Sequence, residues 1–484
     1  MNKFYLVSLL VLCMSVQVTA KDWMGRLPDH IFVSQLSIPG THDSATGNGV
    51  DMASFSQCQD IDVATQWSVG VRAFDFRPKV KDGYLNINHG VSETKLRLDS
   101  ALYLLRDSLK AHPSEFAVIH CLYASAYDND KANYVALLTE LLSSEDLKDY
   151  FVPFRRDLTV GDMRGKILLL SRDKYDNKPI TGGFLQDWCG WLDWNRQSSC
   201  SIVGESTAAD YKTPLWVQDY SNTKDSEGGV DTKVKAVTEM LDHSTKRVTK
   251  DESGVVWVFN FASAYPGSIS SANGYRENAT YTNAAIIEYL KEHEAGPTGV
   301  VMMDYCVDTS FTKSKEYLTR GRELVDTLIA NNYKWLERMN KSVYDKALQR
   351  IDMLYEKLRE AQKSIASECA DVAAGFEDEL AAAKEVIDKQ KYEVDSLYAG
   401  WLFTEGYTVD YTGTYRIIRQ IKKDAENAQA EFNETSGIHA VRAGHIGSDC
   451  QIFSLSGVRL EAPRRGTVCI VKFPDGKVRK VVSK

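Results

Sequence analysis

The amino-acid sequence predicts an α/β protein whose main part is an irregular (β/α)8 barrel, followed by a helical region and a small C-terminal β unit. The chain has 484 residues, of which 43% are hydrophobic, and this length exceeds what one small core needs. Short apolar runs alternate with helix-like segments from about residue 22 to 330. Strands that are apolar throughout and separated by helices are typical of a parallel sheet covered on both faces.

Eight apolar runs are the predicted strands of the barrel. In chain order they are "FVSQLSI", "VRAFDF", "LNINH", "FAVIHCL", "KILLLS", "LWVQ", "VVWVFNF" and "GVVMMDY". Eight such units in roughly 300 residues fit a closed barrel of the TIM type better than an open sheet. The turn at Pro39 and Gly40 is predicted to end the first strand at the rim where such barrels carry their chemistry.

The first 20 residues have the pattern of a secretory signal. Lys3 precedes an apolar run that extends to Met14, and Ala20 is a small residue at which a signal peptidase can cut. No later apolar run approaches the ~20 residues of a membrane span. We therefore expect a protein that is secreted, periplasmic or at the cell surface, without a transmembrane span. The barrel domain is predicted over residues 21–332.

Composition narrows the function classes. The net charge of −8 argues against a general nucleic-acid binder. Nine cysteines, less Cys13 in the signal, leave eight, which allows disulfides in an oxidising compartment; Cys189 and Cys200 could close one loop. No CxxC pair or HExxH motif occurs, which gives a zinc site little support. No cofactor and no metal are expected.

Residues 333–435 are predicted to form a helical hairpin or bundle. Apolar residues recur there at three- and four-residue spacing, as on one face of a long helix; they are Ile351, Leu354, Leu358, Ala361 and Ile365. The region is either an arm that binds a protein partner or a packed bundle.

Residues 436–484 alternate apolar and polar side chains and contain "DG", which predicts a small antiparallel β domain. The segment also resembles C-terminal sorting or anchoring modules of secreted proteins in some Gram-negative bacteria. A β domain without a sorting role is the alternative.

Polar side chains follow the predicted strands at the end where a parallel barrel carries its chemistry. They are His42, Asp43, Asp75, Arg77, His89 and Asp304. Because closure makes the eighth strand a neighbour of the first, Asp304 is expected to approach His42. With His89 on the third strand, the two histidines are expected on the order of 10 Å apart, on either side of a group the size of a phosphate.

These residue types predict a metal-free phosphodiesterase. Two imidazoles beside a phosphodiester can act as general base and general acid, since a pKa near ~6.5 lets one start neutral and the other protonated. Arg77 can neutralise the charge that grows on the non-bridging oxygens. Singly, each residue has a commoner structural interpretation: Asp75 and Arg77 could be an ion pair, and His120 is interpreted as a core or supporting histidine with no assigned role.

The motifs "LSIPGTHDSAT" and "GVRAFDFRPKVKDGYLNINHG", followed by "VVMMDYC", resemble those of the bacterial phosphatidylinositol-specific phospholipase C family over about residues 25–330. The resemblance implies a distorted TIM barrel that acts on phospholipid at a membrane surface, giving diacylglycerol and inositol 1,2-cyclic phosphate. It also implies that Arg77 stabilises the transition state with support from Asp75. Related eukaryotic enzymes hold calcium in this region, so an arginine there favours metal independence.

The same resemblance implies roles for the two histidines and their carboxylates. His42 would be the general base that takes the proton of the inositol 2-hydroxyl, oriented by Asp304. His89 would be the general acid for the leaving oxygen, with Asp43 as its partner.

For the inositol ring, the resemblance implies Arg172 in "GKILLLSR" and Asp219 in "WVQDY", with Tyr220 near the family's ring-stacking aromatic. The Gly-, Ser- and Tyr-rich loop from Ala262 to Tyr281 could cover the site, with Tyr265 or Tyr275 touching the substrate, or that loop is an ordinary connection. Head-group specificity stays open.

Two other functions remain as alternatives. A catalytically idle barrel could bind lipid, carbohydrate or a protein partner, although such a protein needs no pair of histidines across a phosphate. A metal-dependent glycerophosphodiesterase would be expected to carry a cluster of acidic ligands in place of "FDFR".

Overall fold

The computed structural model describes residues 22–124, 130–175, 178–179, 197–203, 212–221, 223, 229–246, 256–265, 272–368, 370–403, 407–435, 438–441, 449–463 and 467–483. The predicted signal, Cys189 and the side chain of Cys200 lie outside these residues. The chain divides into two compact units, residues 1–339 and 340–484. The domain boundaries predicted from the sequence remain predictions.

The described strands of the first unit are β1 (Ser37–Thr41), β2 (Ala73–Phe76), β3 (Pro78–Lys81), β4 (Tyr84–His89), β5 (Ser92–Arg97), β6 (Ala117–Cys121), β7 (Ile167–Ser171), β8 (Lys174–Tyr175), β9 (Lys178–Pro179), β10 (Gln197–Val203), β11 (Lys212–Gln218), β12 (Trp257–Phe261), β13 (Gly299–Met303), β14 (Thr309–Phe311) and β15 (Glu316–Leu318). Its helices are α1 (Ala53–Ser56), α2 (Val63–Ser68), α3 (Leu98–Ala111), α4 (Lys131–Ser143), α5 (Val160–Met163), α6 (Gly229–Thr245) and α7 (Gly274–Glu292).

One sheet carries the fold, in the order β10-β11-β12-β13-β1-β2-β6-β7. All neighbours are parallel except β10 and β11. Strands β1, β2, β6, β7, β12 and β13 are buried along their whole length, as expected of a parallel sheet covered on both faces. The predicted irregular TIM-type barrel is confirmed, with seven parallel strands among the described residues instead of eight.

The predicted third barrel strand, "LNINH", is wrong. This segment is β4, which pairs antiparallel with β3 and β5 in a separate three-stranded sheet. Asp82 and Gly83 both have positive φ, 46° and 79°, and form the turn of the β3–β4 hairpin. An Asp-Gly pair between two strands is a strong hairpin signal, so "KVKDGYLNINH" should have been interpreted as a hairpin. The third parallel strand is β6.

The predicted turn at Pro39 and Gly40 is also wrong, because both residues lie inside β1, opposite Val301 and Met302 of β13. Glycine is needed at position 40 because a Cβ there would lie 2.7 Å from Met302 Sδ. The chain turns instead at Asp43, whose φ of 43° is left-handed. This turn leaves two polar side chains at the carboxyl end of the strand.

Helix α8 (Gly321–Glu368) extends past the end of the first unit, and the second unit adds α9 (Ala370–Ala374), α10 (Glu377–Ala399) and α11 (Tyr411–Thr435). The apolar residues predicted to form one face of a helix are buried in a core that α8 shares with α10 and α11. These helices therefore form a bundle. The described helices include none with a stretch long and apolar enough to cross a membrane.

The C-terminal strands are β16 (Ile438–Val441), β17 (Gln451–Phe453), β18 (Arg459–Leu460), β19 (Val468–Lys472) and β20 (Val478–Ser483). Their sheet has the order β16-β20-β19-β17-β18. It is antiparallel, as predicted, except that β16 and β20 run parallel.

Candidate active site

The site lies at the carboxyl ends of β1, β2 and β13, where the sequence predicts it. His42 follows β1, and its backbone N–H donates to Met303 O at 2.9 Å, which continues the ladder between β1 and β13. The Gln59 amide donates to the carbonyl oxygens of His42 (3.1 Å) and Met303 (2.9 Å). This side chain therefore ties the two strand ends together.

His42 lies between two buried carboxylates. Its Nδ1 is 2.9 Å from Asp304 Oδ1, and its Nε2 is 3.1 Å from Asp43 Oδ2. Burial disfavours the charged imidazolium, but the two carboxylates outweigh this and raise the pKa of His42 to about 9. Burial also raises the pKa of Asp304. The predicted contact across 262 residues of sequence is therefore present.

His89 reaches the site from the β4–β5 hairpin rather than from a barrel strand. Its Nδ1 lies 2.7 Å from the carbonyl oxygen of Ser56 in α1, and its Nε2 lies 3.4 Å from Asp43 Oδ2. The ring centroids of His42 and His89 are 6.3 Å apart. Asp43 Oδ2 therefore faces both imidazoles, whereas the sequence predicted it as the partner of His89 alone.

Arg77 is the fixed positive charge of the site. It lies 3.3 Å from Asp43 Oδ1 through Nε and 2.9 Å from Asp75 Oδ2 through Nη2. Burial lowers the pKa of Arg77, but these two carboxylates raise it by more, so the guanidinium stays charged. Asp75 Oδ2 also accepts a hydrogen bond from the Asp43 N–H at 3.2 Å.

His120 in β6 supports this arginine through Asp75, a contact that the sequence interpretation missed. Its Nδ1 is 2.7 Å from Asp75 Oδ1, and both side chains are fully buried. Burial lowers the pKa of His120. Burial opposes ionisation of Asp75, but Arg77 and His120 hold its pKa well below the usual value. Strands β2 and β6 are neighbours, and Asp75 is directly opposite His120. The correct strand order would therefore have predicted this contact.

Tyr275, at the start of α7, belongs to the site. Its hydroxyl lies 3.2 Å from His89 Nε2. Its ring centroid is 6.1 Å from that of His42 and 5.4 Å from that of His89. Of the two tyrosines named from the sequence, Tyr275 touches a histidine, and Tyr265 contacts Tyr275 with ring centroids 5.1 Å apart and a tilt of 45° between the rings.

The residues predicted for the inositol ring follow β7 and β11. Arg172 is partly exposed; burial of its guanidinium lowers its pKa to about 10, and Asp219 opposes this shift. Tyr220 is 1% exposed, and its backbone N–H donates to Gln218 Oε1 at 2.7 Å. Arg172 and Asp219 are thus close enough to interact, whereas the ring of Tyr220 is enclosed by protein.

Among the described residues, one group has the composition of a metal site: ligand atoms of His42, Asp43 and Cys58 lie within 4.8 Å of one another. Arg77 contacts the same aspartate. A fixed guanidinium on one ligand repels a divalent cation, and burial raises the pKa of the Cys58 thiol, which opposes the thiolate that a metal requires.

No family model matches the chain. A 1-phosphatidylinositol phosphodiesterase of Staphylococcus aureus (strain Newman) is 25% identical over 299 residues, which cover 60% of this chain and 90% of that protein. A protein of the same name from Listeria monocytogenes is 35% identical over 174 residues, or 34% of this chain and 52% of that one.

The fold agrees with a solved structure of a mutant phosphatidylinositol-specific phospholipase C from Staphylococcus aureus. The TM-score is 0.53 at 24% identity, and the match covers 64% of this chain and 98% of the other. The likeness to solved structures concerns the fold. Together with the sequence matches, it confirms the predicted resemblance.

Proposed function

We propose that this protein belongs to the bacterial phosphatidylinositol-specific phospholipase C family and cleaves phosphatidylinositol, or a related inositol phospholipid, to diacylglycerol and inositol 1,2-cyclic phosphate. The observation that carries the proposal is the pair of imidazoles with centroids 6.3 Å apart, with one arginine bound to their shared carboxylate. The relatives named 1-phosphatidylinositol phosphodiesterase supply the substrate class.

In the proposed reaction His42 takes the proton of the inositol 2-hydroxyl. That oxygen bonds to phosphorus, the bond from phosphorus to the glycerol oxygen breaks, and His89 gives its proton to the departing oxygen. The diacylglycerol and the cyclic phosphodiester then leave, and each histidine has changed its protonation state by one proton. Asp304, bonded to Nδ1 of His42, stabilises the imidazolium that forms.

Arg77 is the group that compensates the negative charge of the phosphoryl oxygens. Its carboxylate partners hold it in place at both Nε and Nη2, so little reorganisation is needed when the charge grows. The pKa of about 9 for His42 means that the free protein holds this residue mostly protonated at neutral pH. The base form is therefore reached as the pH rises.

Arg172 and Asp219 are proposed to bind the inositol hydroxyls, since they lie after β7 and β11 at the same edge of the sheet. Tyr220 was predicted to stack on the ring. Because Tyr220 is buried, it is proposed instead to support the neighbouring Asp219.

The lipid substrate is proposed to be taken from a membrane surface. Three apolar side chains close to His89 are exposed: Met52 (57%), Phe55 (39%) and Val91 (59%). Met52 directly precedes α1, Phe55 lies on it, and Val91 lies in the β4–β5 turn. A 2.6 Å hydrogen bond between the Ser56 and Ser92 hydroxyls joins the two segments. Exposed apolar side chains at the mouth of a site are suited to contact with lipid.

The test is incubation of the purified protein, without residues 1–20, with phosphatidylinositol vesicles, followed by phosphorus NMR. We expect cyclic inositol phosphate in the presence and absence of EDTA. No product under either condition would leave the lipid-binding alternative, and product lost on chelation would identify metal-dependent chemistry. Fractionation of the producing bacterium, with the His42→Ala variant as an inactive tracer, tests the proposed export.

A further inference from the structure

Tyr275 lies where a phosphodiester would have to bind. His89 Nε2 is the atom that would release its proton to the leaving oxygen, and the Tyr275 hydroxyl is 3.2 Å from it. A substrate that engages His89 must therefore take the position of this hydroxyl or lie directly beside it.

The hydrogen bonds of His89 determine what the hydroxyl can do. The Ser56 carbonyl can only accept, so Nδ1 of His89 carries a proton and donates to it. When His89 is neutral, Nε2 is an acceptor for the Tyr275 O–H. When His89 is protonated and ready to act as an acid, both ring nitrogens are donors, so the hydroxyl needs another acceptor.

The backbone around Tyr275 is fixed from two sides. The neighbouring Arg276, 5% exposed, donates through Nη1 to both carboxylate oxygens of Asp60 at 2.8 and 2.9 Å. The N–H of Asn273 donates to Ser54 O in α1 at 2.7 Å. Helix α1 therefore contacts both His89 and the start of α7. These contacts hold the Tyr275 hydroxyl next to the His89 imidazole.

The phenol keeps its proton in this environment. Burial raises the pKa of Tyr275 well above its ordinary value, and the nearby carboxylates of Asp43 and Asp304 act in the same direction. The hydroxyl is therefore a neutral hydrogen-bond donor over the range in which His42 titrates.

We propose that Tyr275 is a further catalytic residue, whose hydroxyl donates a hydrogen bond to a non-bridging oxygen of the phosphodiester, as a second donor besides Arg77. The proposal rests on the proposed phosphodiesterase function. Tyr275 gives up no proton in the reaction; His42 and His89 carry out the two transfers. The hydroxyl stabilises the charge that develops on the phosphoryl oxygen, which is greater in the transition state than in the bound substrate.

The experiment compares Tyr275→Phe with the wild type on two inositol phosphodiesters, one with an alkyl and one with a nitrophenyl leaving group. A lost oxyanion donor costs about 10²-fold in kcat, and we expect this loss on both substrates with little change in KM. His89→Ala serves as the contrast, because its defect should shrink on the nitrophenyl ester, whose leaving oxygen needs no proton. Tyr281→Phe, on the same helix with its ring 50% exposed, is the matched control and should keep the wild-type rate.

Several outcomes would contradict the proposal. A Tyr275→Phe enzyme within twofold of the wild type on both esters would remove the hydroxyl from the reaction. If the loss of kcat in Tyr275→Phe disappeared on the nitrophenyl ester, Tyr275 would act by positioning His89 and not by donating a hydrogen bond to the phosphate. A wild-type protein without turnover would contradict the proposed function itself, so the two failures are distinguishable.

A second measurement covers the case in which the phenylalanine variant does not fold. 3,5-Difluorotyrosine at position 275 keeps the ring contacts and has a more acidic phenol. Once ionised, it cannot donate, so kcat of the labelled enzyme should fall at high pH relative to the wild type. Parallel pH profiles for the two proteins would overturn the role.

Discussion

The two ends of β2 carry buried charges that are satisfied in different ways. Just before the strand, Arg72 Nη2 and Nε lie 2.9 and 3.0 Å from Glu115 Oε2, and neither side chain is exposed. Arg72 Nη1 donates to two backbone carbonyl oxygens, of Trp67 and Val71, each at 2.9 Å. At this end of β2, Nε, Nη1 and Nη2 of Arg72 all contact oxygen atoms of the protein.

At the other end of β2 the carboxylates outnumber the fixed positive charge. Asp43, Asp75 and Asp304 lie around Arg77 and two titratable histidines. Among the described residues, the buried oxygens Asp43 Oδ2 and Asp304 Oδ2 make no well-formed hydrogen bond. A buried oxygen without a well-formed hydrogen bond costs stability. A bound ligand can supply the missing donor. The first end therefore serves the fold, and the second serves chemistry.

The largest expected effect is the loss of turnover at the catalytic end. His42→Ala and His89→Ala should each lower kcat for phosphatidylinositol cleavage by about 10³-fold or more, because each removes a proton-transfer group. Both proteins should still show a cooperative melting transition. A variant that keeps a near-native rate would show that the base or the acid is assigned to the wrong residue.

At the Arg72 end of β2 we expect a loss of stability without a loss of turnover. Glu115→Gln keeps an acceptor for the Met24 N–H but leaves the Arg72 charge buried without its partner, which should lower the free energy of unfolding by about 3–5 kcal/mol. Burial already lowers the pKa of Arg72 to about 10 and raises that of Glu115. Adding Arg72→Met should therefore restore much of the lost stability.

Urea unfolding measures this effect, and turnover per folded molecule should stay at the wild-type value. Asp107→Asn, which breaks an exposed pair with Arg106, is the matched control and should cost less than about 1 kcal/mol. A Glu115→Gln protein as stable as this control would show that the two ends of β2 do not differ as described.

The catalytic end should also make stability depend on pH. The pKa of His42 rises from 6.5 to about 9 on folding, so its contribution is fully present below pH 6.5 and is lost as the pH rises through about 9. This amounts to about 3 kcal/mol at 1.36 kcal/mol per pKa unit. His42→Gln should remove most of this slope, and equal slopes in the two proteins would contradict the raised pKa.

The pH dependence of activity also tests the raised pKa of His42. Asp304→Asn removes one of the carboxylates that raise the pKa of His42. The acid limb of its kcat/KM profile should therefore move to lower pH, while the maximal rate falls because the imidazole is less well oriented.

The sequence predicted the convergence of His42, Asp304, Asp75 and Arg77, because strand order and strand ends suffice to bring them together. It misplaced the route to His89, because "LNINH" was assigned to the barrel by its strand character alone, whereas the Asp82-Gly83 pair before it is typical of a hairpin. Periodicity describes a strand but not the sheet to which it belongs.

Two contacts could not be obtained from strand order. Asp43 faces both histidines because a left-handed turn at that residue redirects its side chain, and no residue type imposes such a φ, although aspartate tolerates it. Tyr275 reaches His89 from the first turn of a helix far along the chain. Its position depends on how α7 packs, which the sequence pattern does not specify.

The smallest predicted effect concerns His120, which is hydrogen-bonded to Asp75. His120→Phe removes the hydrogen bond that orients Asp75 and, through it, Arg77, so kcat should fall by about tenfold, or roughly 1.4 kcal/mol, with KM unchanged. His120→Asn, which retains a donor, should recover part of the rate, and His112→Asn, at a histidine paired with Asp22 away from the site, should change nothing. If the phenylalanine and asparagine variants were equally slow, the hydrogen-bond donor of His120 would play no part in the rate, and the catalytic end of β2 would stop at Asp75.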